Sequence, residues 1–358
     1  MPRRLLLLAM LALWPVFALA QTNGQPNQVL TRIAFGSCAH QERDQPIWAA
    51  VQAYKPELFL FAGDNVYGDY LNGKPVTDDS RLIESLTLAY NRAAMNPDLR
   101  ELRNNVPHLA TWDDHDYGKN DSGADFVHKQ EAQKLFASFW KLPASDPRRT
   151  RPGVYHSVNF GPEGQRVQVI LLDTRYFRSP LKITDQRGAP GRERYVPDDS
   201  PEKTVLGAEQ WSWLAERLKE PADLRIVVSS IQLVADGHGW ERWGNFPRER
   251  TKFYDLVRET KAGRVIVISG DRHIGAIYRE TKSTPYPIYD ITSSGLTQFF
   301  SAAKEDGPNR IGPLFGAVNF GTIDIDWWAA QVTLSLRSMN GEVVRQQKIA
   351  FSEITPTP

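Results

Sequence analysis

"LFLFAGDNVYGD", Leu58 to Asp69, sets an apolar run against a turn that carries Asp64, Asn65, Tyr67 and Asp69. An apolar run this short, closed by Gly63, reads as a strand that ends in an acidic turn. "VPHLATWDDHD" (Val106–Asp116) repeats the design, and "GRVIVISGDRH" (Gly263–His273) repeats it again. "TRIAFGSC" (Thr31–Cys38) is a strand that runs into a Gly-Ser turn. Helical patterns are interleaved: "QPIWAAVQAYKPE" from Gln45, "FVHKQEAQKLFASFW" from Phe126, "GAEQWSWLAERLKE" from Gly207 and "PRERTKFYDLVRETKA" from Pro247. Strand–helix alternation predicts an α/β architecture. Ligands of such sheets collect at the carboxyl ends of strands, so these distant turns are expected to meet at one point.

The chain has 358 residues, with 43 Lys and Arg against 42 Asp and Glu, for a net charge of +1. Binding to nucleic acid through bulk charge needs a basic excess that is missing here. A 41% hydrophobic fraction supports a large packed core. Residues 1–20, "MPRRLLLLAMLALWPVFALA", combine Arg3 and Arg4, a short apolar core and an Ala18-Leu19-Ala20 end. This reads as a cleaved signal peptide, with an uncleaved anchor as the alternative. The Arg pair permits twin-arginine export, and the Leu-rich core suits the general secretory route. The expectation is a secreted or periplasmic protein with no membrane span after cleavage. Cys38 is the only cysteine, so no internal disulfide forms, and its thiol is either inert in the core or bound to a partner such as a metal.

Residues 21–30 read as a polar linker, 31–352 as one domain and 353–358 as a tail. "GVYHSVNFG" (153–161) and "QRVQVILLDTRYF" (165–177) read as a strand pair. Residues 175–204 are a polar, Pro/Gly-rich surface excursion of the kind that carries function. Asn340-Gly341 marks a hairpin in a strand-rich C-terminal third. There is no internal repeat and no low-complexity segment.

The strand-end residues share a chemistry. Carboxylate and Asn oxygens are hard ligands for Ca²⁺ or Mg²⁺, whereas His and Cys thiolate suit transition metals. Cys38 beside a carboxylate and the Tyr67 phenol favours a ferric centre, and a carboxylate such as Asp64 can bridge two ions. A pair of ions binds a phosphoryl group and activates a nucleophile, and a nearby His protonates the leaving oxygen.

In this order, "FGSC", "GDNVYGD", "TWDDHDYGKND", "LLDTRYFR" and "SGDRH" resemble the PhoD-like family, the alkaline phosphatase D relatives among the calcineurin-like metallophosphoesterases. The resemblance spans most of the chain from about Arg32 to Asp290. It implies a two-sheet β-sandwich core flanked by helices, an α/β/β/α architecture, and metal-dependent hydrolysis of a phosphoester substrate outside the cytoplasm. It also implies Fe³⁺ with Ca²⁺. Cys38, Asp64 and Tyr67 fall on the family's iron ligands, with Asp64 bridging. Asp114 falls on a ligand position and His115 on the catalytic, phosphate-facing His. Asp271 and His273 fall on the late ligand pair, and Arg175 on a residue that contacts substrate or orders the loop. Asp113 either joins the ligands, orients His115 or caps the turn. Ile231 in "VVSSIQ" departs from the superfamily's usual His, and Gln232 is a poor substitute, so the site should be richer in oxygen and poorer in His than that of a purple acid phosphatase.

Asp116, Asn120 and Asp121 are expected to shape their loop, and His40, His108, His128 and His156 to be structural or exposed. His238, Trp240, Arg242 and Trp243 are either packing residues or a pocket rim for an organic group. The function this supports is an exported phosphoester hydrolase acting on phosphomonoesters, phosphodiesters or both. The alternatives are a phospholipase D-like phosphodiesterase of the same family and a non-catalytic secreted calcium-binding protein.

Overall fold

The computed structural model describes residues 27–305 and 307–356. The expected signal peptide lies outside the described residues, as does most of the expected linker. The first third of the chain runs β1 (Arg32–Gly36), α1 (Ile47–Tyr54), β2 (Leu58–Ala62), a short hairpin of β3 (Tyr70–Leu71) and β4 (Lys74–Pro75), α2 (Leu82–Met95), α3 (Pro97–Asn105), β5 (His108–Thr111), one turn of α4 (Asp114–Tyr117) and α5 (Lys129–Phe139). Next come β6 (His156–Phe160), β7 (Val167–Leu171), a second hairpin of β8 (Lys182–Ile183) and β9 (Tyr195–Val196), α6 (Gly207–Lys219), β10 (Leu224–Ser229), α7 (Pro247–Glu259), β11 (Val265–Ser269), β12 (Gly275–Glu280), β13 (Ile288–Ser293) and β14 (Arg310–Phe315). The chain closes with β15 (Asn319–Asp326), β16 (Gln331–Ser338) and β17 (Val343–Ala350).

Two large sheets result, in the orders β17-β16-β15-β1-β2-β5 and β14-β12-β13-β11-β10-β7-β6. β1, β2 and β5 are parallel in the first, and β7, β10, β11 and β13 in the second. The side-chain alternation of a strand assigns the layers. Ile33, Phe35, Leu58, Leu60 and Leu109 enter the core shared with β7, β10 and β11. Their neighbours Ala34, Phe59, Phe61 and Ala110 point the other way, onto Trp48 of α1, Leu86 of α2 and Phe136 of α5. Trp211 and Leu214 of α6 and Phe253 of α7 pack on the second sheet. The layers are therefore α/β/β/α, as the motifs imply.

Gly341, at φ +83°, turns β16 into β17 as the Asn-Gly pair predicts. The expected domain edges shift slightly. Leu30 is buried in the core, and so is Ile354, whose carbonyl accepts the Arg264 N–H at 2.6 Å. Part of the expected linker and part of the expected tail thus pack on the domain. Among the described residues, no helix is long and apolar enough to cross a membrane.

Candidate metal centre

The parallel strands deliver their last residues to one place. Cys38 follows β1, Asp64 follows β2, Asp113 to His115 follow β5, and Asp271 and His273 follow β11. Four of these residues are left-handed: Cys38 at φ +66°, Asp64 at +51°, Asp271 at +66° and His273 at +56°. That conformation is uncommon for residues with a Cβ, and such strain collects at functional sites. The surroundings hold it in place. Asp116 accepts the N–H groups of Asp64 at 3.1 Å, Asn65 at 3.2 Å and Asp113 at 2.6 Å. Gly63, at φ +98°, lets the ends of β2 and β5 touch, since a Cβ there would lie 2.6 Å from that of Asp113.

Two adjoining groups of ligand atoms follow. Cys38 Sγ is 3.4 Å from Asp64 Oδ2, and the Tyr67 hydroxyl is 3.2 Å from that oxygen and 3.0 Å from His273 Nε2. The ligand atoms of Cys38, Asp64 and His273 lie within 4.8 Å of one another, as do those of Asp113, Asp114 and Asp271. Asp64, Asp114 and His115 form an overlapping group that joins the two. A further group, Asp114, Asp121 and Glu241, lies alongside.

The charges require a counterweight. Burial raises the Asp64 carboxyl well above the usual range, and the charge of Asp114 adds to this. Burial and Asp114 likewise push Asp271 up to about 8. Asp114 itself stays below the usual range: burial opposes this, but His115, Arg175 and the Asp121 N–H outweigh it. The Cys38 thiol is pushed up by burial and then by Asp64. The arginines nearby are already engaged: Arg175 by Asp113 and Glu241, Arg178 by Glu241, Arg194 by Asp121 and Arg272 by Glu305. Among the described residues, no Lys or Arg pairs with Asp64, Asp114 or Asp271, and Asp113 Oδ2 is buried without a donor. Acids crowded in this way do not all ionise without added positive charge. A thiol, a phenol, an imidazole and four carboxylates fit metal ions in kind and in spacing.

All seven expected ligands are thus neighbours. Asp113 has two kinds of neighbour: its Oδ1 takes Arg175 and the Ser230 hydroxyl, and the carboxylate also belongs to the group with Asp114 and Asp271. Arg175 requires a correction as a substrate contact. It is fully buried, bonded to Asp113 and to Glu241, each at 2.6 Å, and does not line the cavity, so it orders the loop from inside. Of the two readings of Trp243, packing holds: it lies in the core with its Nε1 donated to Ser229. Arg242 pairs with Asp236, and His238 is buried against Gln232. Of these four residues, Trp240 reaches the cavity, flanked by the guanidinium of Arg194 at 5.0 Å and that of Arg272 at 5.3 Å. The excursion after Arg175 contributes Arg194.

The cavity holds about 260 Å³. Its walls include Asp114, His115, Asp271 and His273 at the base, and Arg194, Trp240, Arg272 and Phe300 above. His115 Nδ1 is 2.7 Å from Asp69, and its ring stacks on Tyr67 at 4.2 Å. Asp69 also accepts the Asn120 N–H at 3.0 Å. Asp69 and Glu241 carry no role in the sequence reading. Asp69 sits in the quoted "GDNVYGD" as a second acid of the same turn, whereas nothing near Glu241 in sequence marks it.

A sequence model of the PhoD-like phosphatase family matches residues 33–305, more than three quarters of the chain. The chain belongs to the PhoD-like phosphatase family. A search of curated proteins returns no significant match. Among solved structures, one titled as the structure of PhoD aligns with a TM-score of 0.69 at 16% identity, over 91% of this chain and 69% of that one. Purple acid phosphatase PPD1 from yellow lupin (Lupinus luteus) seeds aligns at 0.58 and 12% identity, over 91% and 54%. GAP50, the anchor in the inner membrane complex of Plasmodium, aligns at 0.56 and 13% identity, over 92% and 90%. These likenesses show a shared fold. As a PhoD-like phosphatase, the protein is a phosphoester hydrolase of a family that uses metal ions.

Proposed function

We propose that the protein is an exported phosphatase and phosphodiesterase that works with Fe³⁺ and Ca²⁺. The observation that carries this reading is the meeting of Cys38, Asp64, Tyr67 and His273 with Asp113, Asp114 and Asp271 under a cavity walled by His115. Cys38, Tyr67 and His273 would hold the ferric ion, with Asp64 shared. Asp113, Asp114 and Asp271 would hold Ca²⁺, whose preference for oxygen they suit. When bound, the ions supply positive charge at the phosphoryl group and activate a nucleophile.

The chain's own groups do the rest. Asp69 fixes the His115 ring through Nδ1, which leaves Nε2 to give its proton to the leaving oxygen. The Arg194 and Arg272 guanidiniums orient the phosphoryl oxygens from above. Trp240 and Phe300 narrow the entrance and keep bulk water out. Export is supported by the charged, apolar and small-residue pattern of residues 1–20.

Asp64→Asn in the metal-loaded enzyme should abolish release of p-nitrophenol from a chromogenic phosphoester, and full activity in that variant would sink the reading. Elemental analysis of the natively produced protein should find iron and calcium together. Rates on a monoester, a diester and a phosphatidylcholine vesicle separate the three substrate classes. A cavity this small favours phosphomonoesters and diesters with one slim arm.

A further inference from the structure

Away from the catalytic cavity, a second concavity of about 500 Å³ opens between α2, α3, α5 and the start of β5. Its walls carry Arg100, Arg103, His108 and Lys141, and no Asp or Glu among the described residues. Arg103 sets its character. The guanidinium lies over the Phe139 ring at 4.0 Å and beside Trp140 at 5.0 Å, and Nη2 donates to the Phe139 carbonyl at 2.6 Å. Among the described residues, Nε is buried with no acceptor and no carboxylate pairs with the group. A largely buried cation without a counter-ion is costly.

The neighbours add to that cost. Burial holds His108 near about 4, with the charges of Arg103 and Lys141 pushing the same way. Asn91, Asn104 and Ser138 add neutral hydrogen-bonding groups around the rim. Arg92 of α2, outside the cavity, pairs with Glu42.

We infer that this cavity is a second, non-catalytic site for a phosphate-type oxyanion, anchored by Arg103 with Lys141 and Arg100 at its rim. A guanidinium held flat on an aromatic shelf presents its edge donors in one plane, which suits a tetrahedral oxyanion. The site is separate from the metal centre but close to it in the fold. Tyr90 forms part of its wall and gives its hydroxyl to the Asp116 carbonyl at 3.5 Å. The anion can come from free phosphate or from a phosphate ester.

Calorimetric titration of the metal-loaded enzyme with inorganic phosphate at low ionic strength tests this. Two binding events are expected, one at the metal centre and one at Arg103. Asp64→Asn should alter the first and spare the second. Arg103→Gln should weaken the second by about tenfold or more, the loss expected for a charge-assisted hydrogen bond. Arg103→Lys should restore part of it. Sulfate should compete for the second event and chloride at equal ionic strength should not. Repeating the titration of Asp64→Asn with glycerol 3-phosphate shows whether free or esterified phosphate binds more tightly. If Arg103→Gln does not fold, Lys141→Gln decides, because Lys141 is exposed and its replacement should weaken the same event. A single event in the wild type, or a second event untouched by both Arg103→Gln and Lys141→Gln, overturns the inference.

Discussion

At the scale of single residues, His115 and Asp69 form the pair on which the proposed leaving-group chemistry would depend. The 2.7 Å contact fixes the ring and stabilises its charged form, and the charges of Asp114 and Asp69 raise the imidazole well above its usual range against the effect of burial. Asp69→Asn should therefore lower kcat on the order of 10²-fold, within the range for a positioned general acid. It should also move the alkaline limb of the kcat–pH profile to lower pH, because His115 loses its proton sooner without the Asp69 charge. A fall in kcat with an unmoved profile would show that Asp69 only packs. The candidate ligands were legible at this scale because they are chemically distinctive side chains in strand-end turns, most of them beside a glycine or another acid. Sequence left Arg175 between substrate contact and loop ordering because it does not show depth. A conspicuous arginine near a site is equally an internal counter-ion, and only Glu241, 66 residues away, reveals which.

At the scale of elements, the alternation of apolar strands and amphipathic helices placed β1, β2, β5, β7 and β11, and the candidate site lies at the carboxyl ends of β1, β2, β5 and β11. α2 and α3 lie in a stretch for which pattern reading names no element. α3 has a start signal in Asn96-Pro97, with the Asn96 side chain accepting the Leu99 N–H at 2.9 Å. Its body, however, is so polar that only Leu99 and Leu102 are buried, which leaves too thin an apolar stripe to stand out. The start of β5 also carries a stability switch. His108 is buried beside Trp140, and burial brings its ring down to about 4 despite the Val106 carbonyl. The unfolded chain protonates this side chain near 6.5, so the fold loses stability as pH falls from about 6.5 through about 4. The loss amounts to about 3 kcal/mol at most. Urea unfolding at pH 7.5 and pH 4.5, with chelator present in both, should show a larger drop for the wild type than for His108→Asn. Equal drops would locate the acid sensitivity elsewhere.

At the scale of the whole molecule, one sheet built from both ends of the chain and one built from its middle close over one set of acids. Cys38 and Asp64 follow strands of the first sheet and Asp271 and His273 a strand of the second, so ions held between them as proposed would tie the two layers together. Chelation should then lower the unfolding temperature as well as activity, by roughly 5 °C or more for ions held at a hundred times their dissociation constant. Asp271→Asn removes one of the crowded charges and should narrow the gap between loaded and stripped protein in differential scanning calorimetry. An unchanged unfolding temperature on stripping would mean that the acids are neutralised by protons alone. The layered architecture was readable from pattern and motif together. Which strand lies beside which was not, because the order β17-β16-β15-β1 joins the two ends of the chain, and no local signal reports a contact of that span.

Cys38 has a use that follows from its position. It is the only thiol in 358 residues, it has no exposed surface, and it sits 3.4 Å from Asp64 at the floor of the cradle. An alkylating dye cannot reach it while the strand ends stay closed. With the dye in excess, each labelled molecule records one opening event, and the labelling half-time becomes a clock for breathing of the active centre. No engineered cysteine is needed, and no other site contributes background. Metal loading should slow that clock, and stripping should speed it up.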